Sequence, residues 1–183
     1  MKATGIVRRI DDLGRVVIPK EIRRTMRIRE GDPLEIFTDR EGEVIFKKYS
    51  PIGELGVIAS QYAETLHKTC SIAVAVCDRS SVIAFSGVPK KEYADKSISP
   101  ELEKIIESRT LYTYESGKEK LSVTPDSLGH FISCAMPIIS EGDVAGCVIS
   151  LSESDEDGVI DRDVEKKLIV TAASFLGDRK SVV

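Results

Sequence analysis

Six apolar residues near the N-terminus constrain this chain more than any other feature. Ile6, Val7, Ile10, Val16, Val17 and Ile18 include adjacent pairs, and a β-strand displays neighbouring side chains on opposite faces. The runs Gly5 to Ile10 and Arg15 to Ile18 flank Asp11-Asp12-Leu13-Gly14, a tight turn in which Gly14 accepts positive φ. Both faces of such a hairpin need cover. A second strand pair, Pro33 to Thr38 and Glu43 to Tyr49, is joined by Asp39-Arg40-Glu41-Gly42. Between the pairs the pattern predicts a short helix from Pro19 to Ile28, with Pro19 at its first position, where a missing N–H costs nothing. About fifty residues is near the lower limit for a self-sufficient core. Two copies interleaved into one sheet, as an obligate symmetric dimer, supply the missing cover most simply.

Charge is as unevenly spread as the apolar residues. Residues 1–29 hold nine Lys or Arg against three acids, in a chain whose net charge is −4. A polyanion is the commonest partner for such a cluster; a solvated basic face is the plain alternative. On a helix, Lys20, Arg23, Arg24 and Arg27 fall on one side and Ile22 and Met26 on the other. Arg8, Arg9 and Arg15 stand on the strands beside the first turn. The planar guanidinium fork suits a phosphate or the O6 and N7 edge of guanine. The stretch has no Asn or Gln to read adenine, so DNA shape and flexibility are expected to carry part of any specificity. An alternative for Arg15 or Arg23 is a salt bridge to Asp11, Asp12 or Glu21.

Across residues 3–49, and above all in LGRVVIPKEIRR, the chain resembles the AbrB family of bacterial transition-state regulators. The resemblance implies a swapped-hairpin dimer that binds double-stranded DNA through Arg8, Arg15, Arg23 and Arg24, with Arg9 and Lys20 in support. It further implies a sequence-preferring transcriptional regulator of sporulation genes, in the bacterial cytoplasm and specifically the forespore.

From Ser50 the chemistry changes. Residues 1–50 carry +3 and residues 51–183 carry −7, so domains are expected at 1–50 and 51–183. Ile52, Leu55, Ala59, Tyr62 and Leu66 recur at helical spacing. That seam fits either self-packing with a second copy or one helix covering its own sheet, and in both cases the helix can link the halves. Two hairpins are expected next: Ser71 to Cys77 with Ser81 to Ser86, and Ile132 to Ile139 with Val144 to Leu151. Pro137 suits a sheet edge or bulge. Ser99 caps a helix that starts at Pro100 and turns Leu102, Ile105 and Ile106 inward. The polar stretch from Tyr112 to Gly129 is expected to be irregular and to cover a pocket. A last helix from Asp161 is expected to bury Val164, Leu168, Thr171, Ala172 and Phe175. The layout is α+β, an antiparallel sheet with flanking helices. By element order over residues 54–180 it resembles a GAF sensory domain.

A GAF-like pocket for an unidentified small effector would draw on Phe85, Phe131, Cys134, Met136 and Cys147, although core packing explains each of them. Pairing of dimers into a tetramer through this half is a further expectation. Cys70, Cys77, Cys134 and Cys147 form no C-x-x-C pair and no Cys/His cluster, so neither metal nor disulfide framework is expected. With no glycine-rich phosphate loop either, no cofactor is expected. No apolar run approaches the ~18 residues of a membrane span. A GAF-type thiol redox enzyme would use Cys77, but a reactive thiol needs exposure and a depressed pKa, and no catalytic residue is assigned. An antitoxin-type autoregulator would carry a short disordered tail, unlike the patterned second half. His67 and His130 are expected at the surface or its boundary, without a role.

Overall fold

The computed structural model describes residues 4–49, 56–155 and 160–178. The chain divides into two compact units, Met1–Tyr49 and Ser50–Val183.

The first unit starts with a turn that lacks its strands. Asp11 Oδ1 accepts the N–H of Leu13 at 3.0 Å and of Arg15 at 2.7 Å, Asp11 N–H donates to the Arg15 carbonyl at 3.0 Å, and Gly14 sits at φ +75°. Yet residues 5–10 and 15–18, expected as strands, form no ladder within this chain. A lone hairpin of short runs is marginal without further strands, and the local turn chemistry closes regardless. Helix α1, Lys20–Thr25, follows, with Pro19 one position ahead of the helix and not at its first residue. Its end is a Schellman closure: Ile28 N–H donates to the Arg23 carbonyl at 2.8 Å and Arg27 N–H to that of Arg24 at 3.2 Å. Strands β1 (Leu34–Thr38) and β2 (Val44–Lys48) then pair antiparallel, Leu34 opposite Lys48 and Thr38 opposite Val44. Their turn repeats the first: Asp39 Oδ1 accepts from Glu41 and Glu43 at 3.0 and 2.9 Å, with Gly42 at φ +83°. Lys48 reaches Asp32 at 3.5 Å and ties the end of β2 to the loop after α1.

The second unit is a five-stranded antiparallel sheet with apolar layers on both faces. Its elements are α2 (Gly56–Cys70), β3 (Ala73–Asp78), β4 (Val82–Ser86), α3 (Lys90–Tyr93), α4 (Pro100–Ser108), β5 (Tyr112–Thr113), β6 (Phe131–Ser140), β7 (Asp143–Ser152) and α5 (Arg162–Asp178). The strand order is β4-β3-β7-β6-β5. Alternation along β3 shows why the strands read as unbroken apolar runs. Val74 and Val76 face Ala59, Ala63 and Leu66 of α2 and Ile169, Ala172 and Leu176 of α5, whereas Ala75 and Cys77 face Leu102, Ile105 and Ile106 of α4 with Tyr93 and Val123.

Several expectations hold residue by residue. The Ser99 hydroxyl accepts the Leu102 N–H at 3.1 Å and donates to the Ser122 carbonyl at 2.6 Å, with Pro100 at the first helical position. In its described part, α2 covers its own sheet; Ile52 and Leu55 of the expected seam lie outside the described residues. Pro137 pairs with Cys147 on the β7 side, and on its other side β5 reaches only Ala135 and Cys134, so the missing N–H points to no neighbouring strand.

One expected face is corrected. α5 buries Ile169, Ala172, Ala173 and Leu176, while Val164 and Phe175 stay 48% and 36% exposed. The small side chains let the helix approach the sheet closely, and Phe175 turns sideways to meet the Tyr62 ring at 5.4 Å. His130, half-buried as a residue, lies at the boundary as expected, with its side chain turned inward to 8% exposure.

Candidate nucleic-acid interface and a polar cavity

All six basic residues singled out from the sequence are exposed. Arg8 and Arg9 precede the first turn, Arg15 closes it, and Lys20, Arg23 and Arg24 stand on α1. Arg15 is the most constrained. Its Nε donates to Asp11 Oδ2 at 2.8 Å while its backbone N–H occupies Oδ1, so one aspartate fixes both the turn and the guanidinium beside it. The Arg15 N–H first, and its guanidinium second, hold the Asp11 carboxyl below its ordinary pKa. The expected alternative of an Arg15–Asp11 bridge is therefore present. It leaves the Arg15 side chain 68% exposed, and the other guanidinium nitrogens remain able to meet a ligand. Arg23 and Arg24 lie in the last turn of α1, where cations also suit the helix dipole.

The same unit leaves Val7, Ile10, Leu13, Val17, Ile36 and Val44 between 58% and 85% exposed. Apolar surface of this extent on a folded chain marks an interaction site. Basic groups and uncovered apolar groups thus occupy one small unit.

In the second unit the five residues named for a pocket do not converge. Phe85 packs toward the α4 layer beside Tyr93, with rings 6.0 Å apart. Cys147 is buried in that layer; Cys134 and Met136 belong to the opposite, α2–α5 layer. Burial pushes the Cys134 thiol up to about 12 and raises those of Cys77 and Cys147 as well.

Phe131 alone of the five borders a cavity of about 320 Å³ at the end of the sheet. Its ring meets Tyr114 edge-on at 4.6 Å and lies under Lys120 Nζ at 4.7 Å. The remaining wall includes His67, His130, Ser133, Arg162 and Glu165. Glu165 accepts the Ser150 hydroxyl at 2.6 Å and the Ser133 hydroxyl at 3.2 Å. None of these residues stood out in the sequence. The signal that was there is scarcity: the chain has two histidines, and both line this cavity.

Comparison with known proteins follows the same division. Residues 54–180 match the family described as "Stage V sporulation protein T C-terminal, transcription factor", and residues 7–53 match "Antidote-toxin recognition MazE, bacterial antitoxin". Stage V sporulation protein T of Bacillus subtilis (strain 168) is 52% identical over 176 residues, covering 96% of this chain and 97% of the relative. Transition state regulatory protein AbrB of the same organism is 63% identical over 51 residues, 28% of this chain and 52% of the relative. Among solved structures, the cofactor binding GAF domain of the nutrient sensor CodY from Clostridium difficile is 16% identical, covering 87% of this chain and 92% of that one, with a TM-score of 0.44.

Proposed function

The chain belongs to the stage V sporulation protein T family of transcription factors, and from that premise we propose that it regulates sporulation genes by binding double-stranded DNA as a dimer. Arg8, Arg15, Arg23 and Arg24 make the principal contacts, with Arg9 and Lys20 in support. The observation that carries this reading is that all six are exposed on the one unit whose apolar residues find no cover within a single chain. A second copy covers that apolar surface and doubles the basic one. With six or so phosphates contacted per dimer, binding should fall with salt at a slope of about −5.

The second unit acts as a GAF-like sensory domain and pairs dimers into a tetramer. The chain works in the bacterial cytoplasm, in the forespore, where its DNA is. We read it as a regulator and not an enzyme; the buried, proton-holding thiols of Cys77, Cys134 and Cys147 support this. The match of residues 7–53 to an antitoxin family raises the alternative of toxin neutralisation. A second half with its own two-layered core supports the regulator.

The test is binding of full-length protein to a natural sporulation promoter and to scrambled DNA of the same composition, across a salt series. Arg8→Ala and Arg23→Ala should each weaken binding about tenfold or more and flatten the salt slope by about one to two, because each change is made twice per dimer. Equal affinity for the two DNAs, or unchanged binding by both variants, would defeat the proposal.

A further inference from the structure

Two acids, Asp11 and Asp12, stand in the first turn, inside the most basic stretch of the chain. Negative charge there weakens the pull on a polyanion, so its placement asks for a reason, and Asp11 supplies one. Its Oδ1 accepts the N–H groups of Leu13 and Arg15, which fixes the carboxylate against the backbone, and its Oδ2 accepts from Arg15 Nε at 2.8 Å. An exposed ion pair normally contributes little, because two mobile side chains must be ordered to make it. Here the turn has already ordered the carboxylate, so only the arginine remains to be placed. Among the described residues, Arg8, Arg9, Lys20, Arg23 and Arg24 form no such pair with a carboxylate, and Arg8 donates only to the Val7 carbonyl at 3.1 Å.

The pair changes what Arg15 can recognise. A guanidinium has five N–H donors in one plane; with Nε taken, the two Nη atoms remain as a forward-facing pair. The Arg15 N–H and guanidinium keep Asp11 ionised at neutral pH, so the positive charge of Arg15 is offset where it stands. A phosphate approaching it meets the Asp11 carboxylate, with that of Asp12 one residue on. The O6 and N7 acceptors of guanine carry no formal charge and meet no such repulsion. A guanidinium already paired with a carboxylate also has less charge with which to displace counterions from DNA. The turn stands clear of the rest of its own chain: Leu13 is 70% exposed, and nothing lies within 4 Å of a Cβ built on Gly14.

We propose that Asp11 is a positioning residue for base readout: it aims the Nη pair of Arg15 at the O6 and N7 edge of a guanine in the major groove, while Arg8, Arg23 and Arg24 hold phosphates. Three phosphate-binding arginines per chain make six per dimer, in keeping with a salt slope of about −5. This deepens the DNA-binding reading and rests on it.

The test uses full-length protein and its Arg15→Lys, Arg15→Ala, Asp11→Asn and Arg8→Ala variants. Each is titrated across a salt series with a natural sporulation promoter, the same promoter carrying 7-deazaguanine for guanine, and scrambled DNA. The modified base replaces the N7 acceptor by C–H and leaves every phosphate in place. The unaltered protein should bind the modified promoter about tenfold more weakly or worse. Arg15→Lys and Arg15→Ala should show that loss already on the natural promoter, lose little more on the modified one, and keep the salt slope within about half a unit. Asp11→Asn retains an oxygen for the turn's N–H groups and removes the charge. It should weaken promoter binding about threefold or more and leave scrambled DNA bound at least as tightly, a split that loss of the fold would not produce. Arg8→Ala should do the reverse of the Arg15 variants, with a flatter slope and full sensitivity to 7-deazaguanine. If Arg15→Ala fails to dimerise, Arg15→Lys decides. Indifference of the unaltered protein to 7-deazaguanine, an Arg15 variant that stays equally sensitive to it or flattens the slope as Arg8→Ala does, or equal weakening of promoter and scrambled DNA by Asp11→Asn overturns the assignment. Weakened binding by Arg8→Ala in the same assay separates those outcomes from a failure of DNA binding itself.

Discussion

From Ala59 onward thirty-one hydrophobic side chains are buried, whereas the described residues up to Tyr49 contribute none to that core and leave eleven large apolar side chains exposed. One unit covers its apolar residues within a single chain, and the other does not. The difference teaches that stability in this molecule has two kinds of dependence. The second unit should stay folded at any dilution, with only the pairing of dimers responding to concentration, while the order of the first should itself depend on a second copy.

The strongest way to break this contrast is Val17→Asp, which puts a charge on surface that a second copy would cover. A charge buried without a partner costs several kcal/mol. Promoter affinity should fall about a hundredfold or more, and sedimentation should show loss of the first-unit dimer, with the second unit's calorimetric midpoint unmoved. A Val17→Asp protein that dimerises and binds normally would end the comparison. Next in size is Leu102→Ala, a truncation within the α4 layer. It should cost about 3 kcal/mol in denaturant unfolding of the second unit, with first-unit dimerisation unchanged by sedimentation.

Smaller effects sharpen the comparison within the first unit. Gly14→Ala and Gly42→Ala each place a Cβ where φ is positive and nothing lies within 4 Å. Each should cost about 1 kcal/mol by backbone strain alone, read as a shift in the dimer's unfolding midpoint. A markedly larger loss at Gly14 would show that the partner packs against that turn. The smallest effect is on the acid limb. The Asp11 carboxyl is held below its ordinary 3.8, so its stabilising contribution is present above that value and disappears as pH falls through the lower, folded one. Asp11→Asn should slightly flatten the loss of first-unit stability below about pH 4 and leave neutral-pH salt dependence unchanged.

How far the fold could be read from residues depended on how local the controlling interactions are. The Asp11 and Asp39 turns, the Ser99 cap and the hairpins of the second unit are set by residues within a few positions of one another, and they were legible. The strands beside Asp11 were legible as pattern, but they form no ladder within this chain. Periodicity gave the existence of α5 and misjudged its buried side, because an apolar stripe says nothing about which small residues permit close approach. The basic residues announced themselves by charge. The cavity did not, since His67, His130 and Glu165 are isolated polar residues separated by sixty-three and thirty-five positions, and only the sheet's topology brings them together.

Pro137 has a consequence for how copies of this protein avoid sticking to one another. Where β5 stops, β6 continues with a residue that cannot donate, followed by a register irregularity between Ile138 and Ile139. An incoming strand would find its hydrogen-bonding template interrupted at the one stretch of β6 left without a neighbour. Strand addition along that margin of the second unit's sheet is disfavoured by a single ring.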